Sequence, residues 1–325
     1  MKVYQTDEIR NIALVGGAKS GKTTLSECMI FEGGLINRRG SVDDKNTVSD
    51  YREIEHERQN SVSSTVLFAE FNGKKINIID TPGFDDFVGE VISALKVADT
   101  GVMVINAQNG VEVGAEISWR YTSQVNTPVI FALNHLEHEK SNYNETLRQL
   151  KAQFGGNVTI CQYPINEGVG FNQVVDLIKM KLYKFPDDGG APEVMDIPDS
   201  EKDKAEELQA ELIEKAAESN EDLMEKFFEN GTLTEQEMIG GIKEGLKTRG
   251  MFPVFCINAK HNMGVARLME FITNSVPAPN EMPPVKTTNG KEFSCDPSKD
   301  PSLFVFKTVI ESHLGEVSYF KLYKG

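Results

Sequence analysis

Short apolar runs alternate along this chain with longer segments in which apolar and polar residues recur with a helical period. The apolar runs occupy residues 11–16, 75–80, 101–107, 128–134 and 253–259. Uninterrupted apolar runs bounded by turn residues are typical of strands that are buried on both faces of a sheet. Because strands that alternate with amphipathic helices form βαβ units, the pattern predicts an α/β fold with a mostly parallel sheet and helices on both faces.

A long insertion interrupts this alternation between the fourth and fifth apolar runs. Residues 155–186 are typical of two or three extended segments, and residues 200–230 form a charge-rich helical run. A further amphipathic segment at 234–250 begins at Thr234, which is followed three residues later by a glutamate in a capping-box pattern. We therefore predict an inserted α+β subdomain at about 157–252.

The C-terminal part of the chain lacks the alternation. Residues 281–302 are rich in Pro, Asn, Lys and Ser, a composition that predicts a linker. Residues 303–325 resemble two strands and a turn, and two strands cannot bury a core by themselves. We expect them to be the first strands of a truncated β-rich domain, preceded by one domain over residues 1–280.

Composition indicates where the protein works and which ligands its surface disfavours. The 39% hydrophobic content fits a globular protein, no apolar stretch approaches the roughly eighteen residues of a membrane span, and the N-terminus does not resemble a signal peptide. We therefore expect a cytoplasmic protein without membrane contact. A net charge of −15 disfavours DNA and any non-specific affinity for nucleic acid, because an acidic surface repels phosphate. The four cysteines are too widely spaced to indicate a disulfide framework or a zinc site.

The strongest chemical signal is the sequence GGAKSGKT, which begins at Gly16 and matches the P-loop pattern. Its glycines, Gly16 and Gly21, permit a backbone curl whose N–H groups converge on phosphate oxygens. The ammonium of Lys22 faces the outer phosphates, and the hydroxyl of Thr23 binds Mg²⁺. A chance match in a glycine-rich turn is the alternative. The position between a predicted strand and a helical segment favours the phosphate site.

A second motif, DTPG, follows the apolar run at 75–80. Asp80 is placed to hold Mg²⁺ through a water, and the N–H of Gly83 to meet a γ-phosphate. By itself the motif would be an ordinary turn with Pro82 at a favoured position. Its place after a strand and downstream of a P-loop indicates the second half of a nucleotide site.

These motifs resemble those of the translational GTPases, and of elongation factor G in particular. The resemblance runs over nearly the whole chain and includes SVDDKNTVSDYREIEHER, DTPGFDDFVGEV, GVMVINAQNGVEVGAE and PVFCINAKHNMGV. It implies GTP or GDP with Mg²⁺ as ligands, and the ribosome as partner, including its RNA and its proteins with the flexible stalk. It also implies a monomer, an extra subdomain in the insertion, and the opening of a β-barrel domain in the tail. Ribosome-protection proteins that release tetracycline share this layout and are the nearest alternative.

The resemblance carries over a set of site residues. Those implied to bind nucleotide are Gly16, Lys19, Ser20, Gly21, Lys22, Thr23, Thr24, Asp80, Gly83, Asn134, His135, Glu137, Asn258, Ala259 and Lys260. Those implied to hold the metal are Thr23, Ser61 and, through a water, Asp80.

Several positions depart from the family's motifs. The P-loop has Gly17 where His is common and Lys19 where Asp is usual, and Ser61 takes the place of the effector-loop Thr. Lys19 would either place its ammonium where the family's Asp could hold a cation, or point into solvent. For guanine selection the family uses Asn-Lys-x-Asp, whereas this chain has NHLE from Asn134 to Glu137. In the final base-contacting loop, which is Ser-Ala in the family, we expect the Ala259 N–H to meet the guanine O6.

The most consequential departure is Phe84. The family's DTPGH places a His there that positions the water attacking the γ-phosphate. A phenyl ring has no donor or acceptor, and losing such a positioned group commonly costs about 10² to 10⁴ in rate. The resemblance therefore implies a GTP-binding elongation, or translocation, factor whose hydrolysis is impaired or lost. The alternatives are an apolar gate at Phe84 with another group such as Asp85 orienting water, a ribosome-protection or recycling factor, and a non-hydrolysing regulatory module.

Overall fold

The computed structural model describes residues 2–187, 189–311 and 313–325. Its strands, in chain order, are β1 (Ile9–Val15), β2 (Thr65–Phe71), β3 (Lys74–Asp80), β4 (Thr100–Asn106), β5 (Val129–Asn134), β6 (Val158–Ile160), β7 (Gln162–Pro164), β8 (Gln173–Asp176), β9 (Lys181–Lys184), β10 (Glu193–Met195), β11 (Phe252–Cys256), β12 (Val285–Lys286), β13 (Glu292–Phe293), β14 (Ser302–Glu311) and β15 (Gly315–Lys324). Its α-helices are α1 (Lys22–Glu32), α2 (Glu53–Arg58), α3 (Val88–Val97), α4 (Val113–Gln124), α5 (Tyr143–Phe154), α6 (Asp199–Ala217), α7 (Glu221–Asn230), α8 (Glu235–Lys247) and α9 (Val265–Ser275).

Seven strands form the central sheet, in the order β2-β3-β1-β4-β5-β11-β6. All neighbouring pairs are parallel except β2 and β3, which are antiparallel. Every residue of β4 and β5 is buried, because helices cover both faces of the sheet, and this burial explains their continuous apolar runs. The predicted α/β fold is therefore confirmed.

Two strands of this sheet are not assigned to it by the sequence prediction: β2 is not predicted, and β6 lies in the region 155–186, whose extended segments are assigned to the insertion. β2 is an edge strand that is mostly half-buried, so its pattern is mixed rather than continuously apolar. Its turn into β3 consists of Asn72 and Gly73, both with positive φ, which is the preferred chemistry of a tight hairpin. The Asn-Gly pair is therefore the feature of the sequence that indicates the β2–β3 hairpin. β6 has only three residues, which is too few for a periodicity.

The insertion contains a second, antiparallel sheet in the order β10-β9-β8-β7, together with α6, α7 and α8. The capping box at α8 is present, since Glu237 N donates to Thr234 Oγ1 and Thr234 N donates to Glu237 Oε2. β6 lies after the predicted boundary at about 157, yet it pairs with β11 in the central sheet. The extent of each domain otherwise stays a prediction.

A buried ion pair fastens the insertion to the central domain. Arg267 on α9 donates from Nη2 to Asp176 Oδ2 at 2.8 Å, and Gln162 Nε2 donates to the same oxygen at 2.9 Å. The other oxygen of Asp176 accepts the backbone N–H groups of Ile178 and Lys179, each at 3.0 Å. The carboxylate therefore has partners for both of its oxygens inside the protein.

The predicted linker carries a small hairpin, β12–β13, and the two predicted terminal strands form the hairpin β14–β15. This second hairpin contacts α3. Lys321 donates to Val97 O, at the last residue of that helix, at 2.9 Å and to Asp99 Oδ1, just beyond it, at 2.5 Å. Among the described residues, no helix is both long and apolar enough to cross a bilayer.

Candidate nucleotide site

The phosphate loop joins the carboxyl end of β1 to the first turn of α1. Gly16 and Gly21 have φ values of +129° and +95°, in a region that disfavours other residues. A Cβ on Gly16 would lie 2.4 Å from Val104 O, and one on Gly21 would lie 2.2 Å from Asn134 Nδ2. Both positions therefore require glycine for conformation and for space.

Lys22 is held inside this loop. Its Nζ donates to Gly16 O at 2.9 Å and to Gly17 O at 2.8 Å. Burial lowers the pKa of Lys22 to about 8, although the carboxylate of Asp80 acts in the opposite direction. A Cβ on Gly83 would lie 2.5 Å from Lys22 Nζ, so the DTPG turn reaches the same ammonium. The two predicted halves of the site therefore meet at Lys22.

Hydroxyl and carboxylate groups converge beside the loop. We call residues 40–64, which connect α1 to β2, the effector segment. The Oγ of Ser61 lies 3.2 Å from Thr23 Oγ1 and donates to Asp50 Oδ1 at 2.7 Å. Ser49 Oγ donates to Asp80 Oδ2 at 2.7 Å. Burial raises the pKa of Asp50 to about 6. The sequence prediction did not include Ser49 or Asp50.

These groups are hard oxygen donors of the kind that Mg²⁺ prefers. Asp80 is only 1% exposed, and its Oδ1 is buried without a hydrogen-bond partner among the described residues. A buried carboxylate oxygen without a partner is costly unless a ligand or water satisfies it. The donor set therefore fits a magnesium ion bound beside Thr23 and Ser61.

A second group of predicted residues surrounds the end of β5. Asn134 is buried and joins two loops, because its Nδ2 donates to Ser20 O at 2.9 Å and its Oδ1 accepts the N–H of Ala259 at 3.0 Å. That N–H must be shared or released to meet a guanine O6. Asn258 is also buried, and its Oδ1 accepts the N–H of His261 at 3.1 Å. The amide of Asn134 thus connects the phosphate loop to residues 257–262 after β11, which we call the base-contacting loop after their predicted role.

His135 and Glu137, which the sequence predicts to bind the base, lie side by side, with 3.7 Å between His135 Nδ1 and Glu137 Oε1. Burial disfavours the charged form of Glu137, yet the nearby imidazole of His135 lowers the pKa of its carboxyl below the ordinary range. Glu137 Oε2 is buried without a partner among the described residues. An oxygen of this kind can accept the N–H groups of a purine edge.

Contacts from the first helix and the segment after it also hold the base-contacting loop. Cys28 Sγ donates to Ala259 O at 3.0 Å. Arg39 Nη1 donates to Lys260 O at 3.1 Å and lies 3.4 Å from Ala259 O. No motif signals these contacts, because Cys28 and Arg39 are distant in sequence from the loop that they hold.

Three of the predicted binding residues contribute less to this arrangement. The side chains of Lys19 and Lys260 are exposed, and Thr24 is half-buried on α1. The backbone of Lys19 is in the left-handed region, with φ of 60°, as part of the turn of the phosphate loop. The other predicted residues lie in the two groups described above.

Phe84 follows Gly83 directly and is 41% exposed. Together with Val88, Val91 and Ile117 it lines a small cavity between the phosphate loop and the helices α3 and α4. The neighbouring Asp85 is also exposed. The position that follows the DTPG turn is therefore occupied by an aromatic ring without hydrogen-bonding groups.

One family model and several known proteins are similar to this chain over most of its length. The model of the Elongation factor Tu GTP binding domain matches residues 7–278. Elongation factor G of Thermotoga maritima is 33% identical over 98% of this chain and 47% of its own length, and that of Thermotoga petrophila is 32% identical over the same shares. A crystal structure of a protein from Thermus thermophilus has a TM-score of 0.87 and 28% identity, over 98% of this chain and 46% of its own.

The chain thus spans about half the length of the curated relatives that it matches. The family model covers both groups of site residues, the phosphate loop and the end of β5. The chain therefore belongs to the translational GTPase family and is similar to elongation factor G.

Proposed function

We propose that this protein binds GTP and acts on the ribosome as an elongation, or translocation, factor of the elongation factor G type, with GTP hydrolysis strongly impaired. The observation that carries the proposal is the apolar ring of Phe84 beside a glycine loop that holds the buried Lys22. Nucleotide would then act mainly as a ligand that orders the effector segment.

The phosphate end of GTP would bind in the loop from Gly16 to Thr23. Lys22 Nζ, which now donates to two loop carbonyls, would turn to the outer phosphates. Thr23, Ser61 and, through a water, Asp80 would hold Mg²⁺, which when bound offsets phosphate charge. The hydrogen bonds that already connect Ser61 to Thr23 and Asp50 support this proposal, because they hold the effector segment against α1.

Impaired hydrolysis follows from the chemistry of Phe84. In-line attack needs a water held by a donor or acceptor, and a phenyl ring supplies neither. Losing a positioned group of this kind costs about 10² to 10⁴ in rate. Asp85 is the nearest alternative carboxylate in sequence, but its side chain is exposed at the start of a short 3₁₀ turn. We infer that Asp85 does not restore the missing function.

Guanine would bind between the end of β5 and the base-contacting loop. Glu137 Oε2 would accept from the purine N1 and N2 groups, which is the role of the family's Asp. Its longer side chain and the nearby His135 would alter affinity relative to the usual motif. Binding of GDP would use the same contacts without the γ-phosphate contact at Gly83.

The ribosomal partner would include the flexible stalk, contacted through the insertion. On α7 Phe228 is 78% exposed, and the helix also carries Glu221, Asp222, Glu225 and Glu229. An apolar side chain among carboxylates suits a basic partner, since opposite charges raise the encounter rate. We propose a monomer that works in the cytoplasm and contacts ribosomal RNA locally, because the net charge of −15 disfavours a broad nucleic-acid surface.

Sedimentation with ribosomes tests this proposal. Full-length protein is mixed with ribosomes and a non-hydrolysable GTP analogue, GDP or no nucleotide, and the pelleted fraction is measured. We expect retention that depends on the analogue and that is lost in Lys22→Ala. A protein that binds the analogue in solution but never sediments with ribosomes would contradict the ribosomal role and would favour a regulatory module acting elsewhere.

A further inference from the structure

A buried lysine of the β14–β15 hairpin contacts the nucleotide-sensing part of the molecule. The side chain of Lys307 is only 8% exposed. Its Nζ lies 2.5 Å from Ser63 Oγ, 2.5 Å from Ser64 O and 2.9 Å from Glu90 Oε2. An ammonium has three N–H donors, so these contacts use all of them.

The partners of Lys307 belong to two segments that carry other residues beside the phosphate site. Ser63 and Ser64 follow Ser61 in the effector segment, while Glu90 is on α3, which begins shortly after Phe84. Glu90 Oε2 also accepts the N–H of Ser64 at 2.8 Å and its hydroxyl at 2.5 Å. Burial disfavours the charged form of Glu90, yet the hydrogen bonds from Ser64 and Lys307 lower the pKa of its carboxyl. One ammonium therefore joins both segments.

A second contact connects the same strand to the effector segment. Tyr51 donates its hydroxyl proton to Glu311 Oε1, at the end of β14, with a distance of 2.7 Å. The hairpin thus holds the effector segment near its middle and at its end, on either side of Ser61. A segment held at two points has fewer arrangements to lose when it orders.

We propose that Lys307 is a positioning residue that stabilises the arrangement in which Ser61 and Gly83 face the γ-phosphate. The inference rests on the proposed nucleotide function. GTP, which would contact both switch segments, favours the closed arrangement that Lys307 also favours, whereas GDP lacks the γ-phosphate. Because coupling between two sites is reciprocal, the contact at Lys307 raises the affinity for GTP, and bound GTP in turn stabilises the contact. The affinity for GDP should depend much less on the contact.

The same hairpin provides a matched control. Lys321 on β15 is 14% exposed and donates to Asp99 and to the carbonyl of Val97. Those partners lie at the end of α3, outside the effector segment and away from the phosphate loop. Lys307→Met and Lys321→Met each remove one buried ammonium and keep most of the side-chain volume. Only the first removes a contact with Ser64 and Glu90.

The test compares affinities for a fluorescent non-hydrolysable GTP analogue and for GDP in the full-length protein, with Mg²⁺. We expect Lys307→Met to weaken analogue binding about 5- to 150-fold, the usual range of coupling between sites, and to change GDP affinity much less. Lys321→Met should leave the ratio of the two affinities unchanged. Retained GDP affinity shows that each variant is folded.

An unchanged affinity ratio in Lys307→Met, or an equal change in Lys321→Met, would overturn the inference. If Lys307→Met prevents folding, Glu90→Gln removes the same ion pair, and it must also lower the ratio of the affinity for the GTP analogue to the affinity for GDP. Failure of the unaltered protein to bind either nucleotide would overturn the proposed function itself. That result differs from an unchanged ratio in a protein that does bind.

Discussion

The carboxylate of Glu27 on α1 accepts two backbone N–H groups of the effector segment, and altering it gives the sharpest structural prediction. Glu27 is 1% exposed. Its Oε1 accepts the N–H of Gly40 at 2.7 Å, and its Oε2 accepts the N–H of Val48 at 3.0 Å. Glu27→Gln keeps the shape of the side chain but replaces one acceptor by an amide donor. The backbone N–H of either Gly40 or Val48 then faces the amide N–H₂ of the glutamine instead of an acceptor.

The expected cost follows from these two bonds. A hydrogen bond to a charged group contributes about 1.5 to 3 kcal/mol, and a buried N–H left without a partner costs about 1 to 3 kcal/mol. In Glu27→Gln one bond is lost and the other becomes neutral. We expect a free-energy cost of about 2 to 3 kcal/mol for holding the segment, which is roughly 30- to 150-fold in its opening equilibrium.

Hydrogen exchange measured by mass spectrometry tests this directly. Amides in the peptide covering 40–48 should exchange about 30- to 150-fold faster in Glu27→Gln, because exchange follows local opening. Glu32→Gln is the control, since Glu32 is on the same helix and accepts from Asn262, outside the effector segment. Unchanged exchange at 40–48 in Glu27→Gln, or equal acceleration in Glu32→Gln, would refute the reasoning.

Three further predictions concern other parts of the fold. Asp176→Ala should lower the free energy of unfolding by about 3 to 5 kcal/mol, because Arg267 keeps only the partly exposed Glu270 as an anion while the buried partners of Asp176 lose their acceptor, and denaturant titration measures the loss. Folding lowers the pKa of the Glu90 carboxyl, so this carboxylate should stabilise the protein fully above its unfolded pKa near 4.5. The stabilisation should disappear as the pH falls through the lower, folded pKa. The melting temperature of Glu90→Gln should therefore depend less on acid pH than that of the unaltered protein. A Cβ on residue 114 would lie 2.7 Å from Gly17 Cα, so Gly114→Ala should displace the phosphate loop at a cost of about 1 to 3 kcal/mol. A titration should then show GDP binding weakened roughly 5- to 150-fold.

The features that could be predicted from the sequence are local ones. The central strands are buried on both faces, so each appears as an apolar run without reference to its neighbours. The phosphate loop is defined by residues close together in sequence, because one turn must supply the glycines, Lys22 and Thr23. The structure then brings Asp80 opposite Leu14 at the end of β1, as the order of the motifs indicates.

The features that could not be predicted depend on contacts between distant segments. Glu27, Asp50 and Lys307 have partners that no periodicity or spacing brings together, because those partners lie in loops or in a different hairpin. β6 pairs with a strand on the far side of the insertion, and its three residues carry no pattern. In such places the tertiary contacts decide which polar residues matter.

Single-turnover GTP hydrolysis on ribosomes tests the central claim most directly. Full-length protein and Phe84→His are compared, with nucleotide binding measured in parallel. We predict that the unaltered protein binds GTP but cleaves it about 10² to 10⁴ times more slowly than Phe84→His, because histidine has hydrogen-bonding groups that can position the attacking water and phenylalanine has none. Equal and rapid cleavage by both proteins would contradict the account and would mean that another residue positions the water.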